Sequence, residues 1–378
     1  MLHRHNKAFS ICTFLLVVIG LYAAKAQKVL PSDKLATKET IHLYNNLFQL
    51  QHKGIMIGHQ DDLAYGVNWK YETGRSDIKD VAGDYPAIYG WELGGLENNA
   101  SANLDGVPFD KMQQFIKDAY GRGAVITISW HLNNPLTGKS AWDPAPKGSV
   151  AAALPGGSKN DLYKSWLDKV AIFMQSLTTA KGNYIPVIFR PFHELNGNWF
   201  WWGGNNCTPE ELKQLYQFTV HYLRDIKGLH HLLYAYNTDR FNSKAAYLEK
   251  YPGNEWVDIM GFDIYQRGPT AAFAQELDTT LGLLDAIAAE NNKIPALTEF
   301  GYNQLPDSTW WTDVFYKAIA PHNLVYALAW RNAGIKSKDD IEFYVPYTGQ
   351  QSAADFKKFC DTKLILLEKE VKKLNLYK

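Results

Sequence analysis

Two short runs of the 378-residue chain place a glutamate among residues able to hold and tune it: Arg190-Pro191-Phe192-His193-Glu194 and Thr298-Glu299-Phe300-Gly301. Two positioned carboxyl groups can cleave a glycosidic bond. One protonates the leaving oxygen while the other attacks the anomeric carbon or activates water. Polar and aromatic side chains also cluster in Gly58-His59-Gln60-Asp61-Asp62, Trp91-Glu92-Leu93, Ser129-Trp130-His131, Phe262-Asp263-Ile264-Tyr265 and Trp330-Arg331-Asn332. No serine or cysteine nucleophile motif competes with the carboxylates. There is no CxxC pair, HExxH run or Cys/His cluster of the kind that holds a structural metal. His131, His193 and Glu194 could in principle ligate a metal, but no metal and no cofactor is expected.

Each of these runs closes an apolar segment of strand length. The strand candidates are Gly54–His59, Ala87–Leu93, Ala124–His131, Ile185–Glu194, Leu232–Asn237, Val257–Tyr265, Ile294–Phe300 and Leu324–Trp330, rich in β-branched, apolar and aromatic residues. Helical patterns lie between them. Phe109, Met112, Phe115, Ile116 and Ala119 share one apolar face. So do Leu162, Trp166, Val170, Phe173 and Leu177, entered through Ser158 and Asp161 as a capping box. Thr208-Pro209-Glu210-Glu211 is a stronger start, with an N-cap, a proline at the first helical position and a reciprocal glutamate. It leads into Leu212, Leu215, Phe218 and Leu223. Asp278, Leu281, Leu284 and Ile287 mark a further helix. Eight strand–helix alternations in one chain predict an α/β fold, a (β/α)8 TIM barrel forming a single catalytic domain. An open doubly wound sheet is disfavoured, because no G-x-G-x-x-G turn follows the first strand. Trp142 to Gly157 reads as a long surface loop, and Lys363 to Lys373 as an amphipathic closing helix.

Such a barrel carries its site at the C-terminal ends of its strands. The fourth and seventh strands stand nearly opposite in the ring, so Glu194 and Glu299 would face each other across the mouth. A separation of about 5–5.5 Å would mark a retaining mechanism. Plainer readings exist for the same residues. Glu194 could pair with Arg190 on the same strand, four residues earlier, and Glu299 could form an inward salt bridge. His131 and His193 could be satisfied core histidines, and Tyr265 a core tyrosine. Trp199, Trp201 and Trp202 cannot all face one ligand, and Trp199 is the choice for the site. Glu92 and Glu97 could mimic a catalytic pair, but Glu97 carries no supporting motif.

Lys+Arg and Asp+Glu both number 39, so no basic excess points to nucleic acid. A hydrophobic share of 46% can bury a large core, and 12 Trp and 22 Tyr fit sugar stacking as well as packing. The first 26 residues read as an export signal: Arg4 and Lys7, an apolar stretch from Ala8 to Ala23, then the cleavage site Ala24-Lys25-Ala26. The mature domain would span 27–378 and act in a periplasm or outside the cell. Cleavage removes Arg4, Lys7 and Lys25 and no acid, taking the formal charge from zero to −3. The apolar stretch is too short and too early for a membrane span, and a monomer is expected. Cys207 and Cys360 remain, with their pairing open.

The run Arg190-Pro191-Phe192-His193-Glu194-Leu195-Asn196-Gly197-Asn198-Trp199-Phe200-Trp201-Trp202-Gly203 resembles the acid/base signature of glycoside hydrolase family 26, the β-mannanase family. Thr298-Glu299-Phe300-Gly301 resembles its nucleophile strand. Gly58-His59-Gln60, Ser129-Trp130-His131, Asp263-Ile264-Tyr265 and Trp330-Arg331 match as well, so the resemblance runs from the first strand to the eighth. It implies a retaining barrel hydrolase with Glu194 as acid/base and Glu299 as nucleophile. It further implies that His131 and His193 contact the sugar in the cleaved subsite and that Tyr265 hydrogen-bonds the nucleophile. Trp199 and Trp330 become stacking walls, with Asp263 and Arg331 as further ligands. The implied substrate is a β-1,4-mannan, galactomannan or glucomannan. The same family is also associated with β-1,3-xylan and mixed-linkage β-glucan. From another class, a non-catalytic carbohydrate-binding barrel would have no use for both glutamates.

Overall fold

The computed structural model describes residues 29–144 and 147–378. The expected export signal and its cleavage site lie outside them. Eight parallel strands close on themselves: β1 (Ile55–Gln60), β2 (Ile88–Glu92), β3 (Val125–Trp130), β4 (Val187–Pro191), β5 (Leu232–Thr238), β6 (Ile259–Tyr265), β7 (Ile294–Gly301) and β8 (Tyr326–Ala329). Neighbours in sequence are neighbours in the ring, and pairing of Gly58 with Leu328 joins the first strand to the last. The strands are buried almost without break. That is why they read as continuous apolar runs rather than alternating ones.

Alternation governs the barrel interior instead. Met56, Ile88, Val125, Ile188, Leu233 and Ile259 form one buried cluster with Leu43, Tyr44 and Leu47 of the helix Lys38–Leu50. This apolar floor is closed from below by that helix. Two or four residues further along the same strands, on the same face by the period of two, stand Glu92, Arg190, Asn237 and Asp263. The interior therefore changes from apolar to charged towards the C-terminal end.

The helices follow the sequence patterns with some departures. In Pro209–His221, Thr208 Oγ1 accepts from Glu211 N at 3.2 Å and Glu211 Oε2 accepts from Thr208 N at 2.7 Å, the expected reciprocal cap. The helix Asn160–Ser176 lacks the expected one. Lys159 stands at its N-cap with no side-chain bond, and Asp161 pairs with Lys164 at 2.7 Å. Leu162 is 38% exposed, and Tyr163 takes the buried position. The expected loop 142–157 contains a short helix, Ser149–Ala153, and Ala145 and Pro146 lie outside the described residues. The expected closing helix is split. Ile365–Leu366 pairs in parallel with β1, and only Glu368–Leu374 is helical. Cys207 and Cys360 are free thiols. Among the described residues no helix is long and apolar enough to cross a membrane.

Candidate active site

Beyond Pro191 the chain leaves β4 through two non-glycine residues in the left-handed region, Phe192 at φ 54° and Glu194 at φ 49°. Each such residue costs of order 1–3 kcal/mol and persists only where its surroundings over-determine it. The surroundings here do so. Trp202 donates its indole N–H to His193 O at 3.0 Å, Trp201 donates to Leu132 O at 3.0 Å, and Gly197 N bonds Glu194 O at 2.9 Å. Trp201 and Trp202 are buried and serve as anchors. Trp199 alone of the three reaches the cleft, where its indole N–H donates to Glu194 Oε2 at 2.6 Å.

Glu299 stands on β7 directly beside Asp263 of β6. Its Oε2 accepts from the Tyr265 hydroxyl at 2.6 Å, and its Oε1 from Arg190 Nη2. Arg190 also donates to Asp263 Oδ2 at 3.1 Å and to Asn237 Oδ1. The plain reading in which Arg190 neutralises Glu194 is therefore overturned: the guanidinium lies across the barrel on Glu299 and Asp263. One oxygen from each of Glu194, Asp263 and Glu299 lies within 4.8 Å of the other two. Oxygens that close could hold a cation. Arg190 already bonds two of the three carboxylates and supplies that positive charge itself. The metal set His131, His193 and Glu194 is not formed either, because His131 Nε2 faces His193 Nε2 at 2.9 Å and its Nδ1 is bonded to Glu92.

Burial, then the negative charges of Glu299 and Asp239, push the Glu194 carboxyl up from 4.5 to about 7, against the hydrogen bond from Trp199. Asp263 is pushed well above the usual carboxylate range by burial and by Glu299, with Arg190 opposing. The mouth of the barrel thus combines a carboxylate held by a guanidinium with a carboxyl group poised to carry a proton near neutral pH.

These groups open into a cleft of about 440 Å3 lined by His131, His193, Glu194, Trp199, Tyr265, Glu299 and Trp330 among others. Seven of the nine residues singled out in the sequence thus meet in one cavity. Two do not line it. Asp263 is fully buried beneath Glu299. Arg331, expected as a ligand, turns aside into ion pairs with Asp105 at 3.1 Å and Glu342 at 3.4 Å. The cleft also contains residues that sequence reasoning missed. Asp239 and Arg240 follow β5, whose end alone yielded no candidate, although Asn237-Thr238-Asp239-Arg240 carries the same kind of polar signal as the other strand ends. Arg267 follows β6, Phe200 comes from the anchored loop after β4, and Trp142 stacks on His131 with centroids 4.9 Å apart.

The model of glycosyl hydrolase family 26 matches residues 32–333. A mannan endo-1,4-beta-mannosidase of Bifidobacterium adolescentis is 34% identical over 364 residues, covering 91% of this chain. The chain spans only 36% of that longer protein. The solved structure of a family 26 beta-mannanase from Bacteroides ovatus superposes with a TM-score of 0.87 at 41% identity, covering 90% of this chain and 98% of that one. The catalytic domain of a Bacillus sp. JAMB-750 family 26 endo-beta-1,4-mannanase gives 0.85 at 32% identity, covering 93% and 97%. With the closed barrel, the carboxyl pair at its mouth and a family match across most of its length, the chain belongs to glycosyl hydrolase family 26 and is a glycoside hydrolase.

Proposed function

We propose that the protein is a retaining β-1,4-mannanase, with Glu194 as acid/base and Glu299 as nucleophile. The observation that carries this reading is the contrast between the two carboxyls. Glu299 is bonded by Arg190 and Tyr265 in a posture suited to attack, while Glu194 is raised to about 7. Their approach within 4.8 Å fits direct attack better than the wider gap, about 6.5–9.5 Å, that an intervening water needs. Protonated Glu194 gives its proton to the glycosidic oxygen as a Glu299 oxygen bonds the anomeric carbon, and the glycosidic bond breaks to release the leaving sugar with a free hydroxyl. The glycosylated Glu299 no longer carries the charge that helped raise Glu194. Glu194 then loses its proton more readily and acts as base towards water. Water attacks from the face the leaving group vacated, the bond between Glu299 and the anomeric carbon breaks to return the carboxylate, and the sugar leaves with its original configuration.

His131, His193, Trp199 and Trp330 would contact the sugar, with Tyr265 holding the nucleophile. Asp263 acts from beneath through Arg190 rather than as a ligand. The named relatives act on β-mannan, and the substrate class for this chain is mannan, with galactomannan and glucomannan as its branched and mixed forms. The export signal expected in residues 1–26 suits a polymer too large to enter a cell. The test is reducing-sugar release from linear mannan, galactomannan, glucomannan, β-1,3-xylan and mixed-linkage β-glucan, with Glu194→Ala and Glu299→Ala alongside. Release from mannans, cut by about 10²–10⁴-fold or more in each variant, is the expected result. Release confined to another glycan would keep the mechanism and change the substrate. Binding without release would favour a carbohydrate-binding barrel.

A further inference from the structure

Glu92, at the end of β2, has no exposed surface and no place in the reaction above. Its carboxylate accepts from the backbone N–H of Gly94 at 2.6 Å, the backbone N–H of His131 at 2.6 Å, the Ser129 hydroxyl at 2.6 Å and His131 Nδ1 at 2.8 Å. A carboxylate so engaged cannot serve as an acid or nucleophile. As an acceptor of N–H and O–H bonds it requires Nδ1 of His131 to carry a hydrogen. The other nitrogen, Nε2, lies 2.9 Å from His193 Nε2. Two ring nitrogens at that distance share one proton.

Where that proton sits follows from the surroundings. His131 faces Glu92 from β2, Asp105 from the loop after it, Glu299 from β7 and Glu194 from the loop after β4. His193 faces the cations instead, Arg190 from the end of β4 and His131 itself, and its Nδ1 has no partner. Burial works against charge on both rings. Glu92 overcomes it for His131, whose tendency to hold a proton rises, while that of His193 falls well below the ordinary range. The stack of Trp142 on His131, at 17° between planes, points the same way, because an indole face attracts a charged ring.

We infer that Glu92 is a positioning residue: it keeps hydrogens on both nitrogens of His131, and the resulting imidazolium beside the cleft sets the pH at which Glu194 gives up its proton. The second half rests on the reading of Glu194 as acid/base. Because Glu92 and His131 form a neutral pair overall, the effect on Glu194 comes from their unequal distances, the positive ring lining the cleft and the carboxylate lying behind it. Glu92→Gln keeps the shape and an acceptor for Nδ1 but removes the charge that retains the second proton.

Two measurements test this. Nitrogen-15 NMR of the histidine rings in the unaltered protein at pH 7 should show His131 protonated at both nitrogens and His193 at one. A neutral His131 there would overturn the inference whether or not any variant folds. In Glu92→Gln, His131 should become neutral and the alkaline limb of the kcat/KM profile should move up by about half a pH unit or more. An alkaline limb that stays in place while the ring loses its proton would overturn the coupling. A merely structural Glu92 would lower activity at all pH values alike and leave the limb where it was. The NMR result is independent of catalysis, so loss of the Glu194 reading, seen as an active Glu194→Ala protein, remains distinguishable from loss of this one.

Discussion

The indole N–H of Trp199 donates to Glu194 Oε2 at 2.6 Å from a ring that is 40% exposed. One residue thus offers a face to the cleft and a donor to the carboxyl that burial has raised to about 7. A hydrogen bond to the ionised form favours that form, so Trp199 restrains a shift that would otherwise be larger. Trp199→Phe keeps a flat face and removes the donor. The expected outcome is an alkaline limb displaced upward and kcat/KM lowered about tenfold at neutral pH, the size of one hydrogen bond to a charged group. A pH profile of kcat/KM on a soluble mannan checks both.

The raised Glu194 carboxyl also enters the stability of the fold. Its value of about 7 in the folded protein exceeds the ordinary 4.5, so between those limits the folded state holds more proton than the unfolded state. Stability therefore falls as pH rises from about 4.5 to about 7 and this contribution is level above that. Glu194→Gln removes the titration. The variant should match the parent at pH 4 and exceed it at pH 8, by up to about 2–3 kcal/mol. Denaturant unfolding at the two pH values measures the difference. Equal stability at pH 8 would mean that the carboxyl pays no burial penalty when charged.

Gly301 ends β7, the strand that carries Glu299, where a side chain has no room. A Cβ there would overlap the ring of Tyr344 and lie 2.9 Å from Cδ1 of Tyr265, whose hydroxyl holds Glu299. Gly301→Ala should cost about 1–3 kcal/mol in overpacking. Displacement of Tyr265 should lower kcat by up to about a hundredfold, since small misplacements of reacting groups are expensive. Thermal unfolding and kcat, taken together, separate a shifted site from an unfolded one. Unchanged kcat would show that Tyr344 can swing away and leave Tyr265 where it is.

Much of this was written in the chain itself. Strands buried on both sides need unbroken apolar runs, so seven of their eight polar ends stood out as interruptions. Thr208-Pro209-Glu210-Glu211 declared its helix because a capping box is closed by residues three apart. The same logic failed for Ser158 and Asp161. A local pattern permits a cap, and packing around Tyr163 and Trp166 settles where that helix starts. The fifth strand was under-read because its polar end extends past Asn237 into the turn that carries Asp239 and Arg240.

What the sequence determined by itself was the inventory: eight buried strands, the polar ends of seven of them, and two glutamates as candidates for the chemistry. These depend on local periodicity and residue type, which survive in one dimension. What the tertiary structure alone decided was who meets whom. Arg190 binds Glu299 and Asp263 rather than the glutamate four residues on, because the turn through Phe192 and Glu194 swings Glu194 away from the strand face that points Arg190 into the barrel. Arg331 is lost from the cleft to Asp105 and Glu342, and Glu92 is tied to His131 from 39 residues away. Charges buried at the mouth of a barrel must find partners across it, and the ring brings together strands whose separation along the chain carries no sign of that pairing.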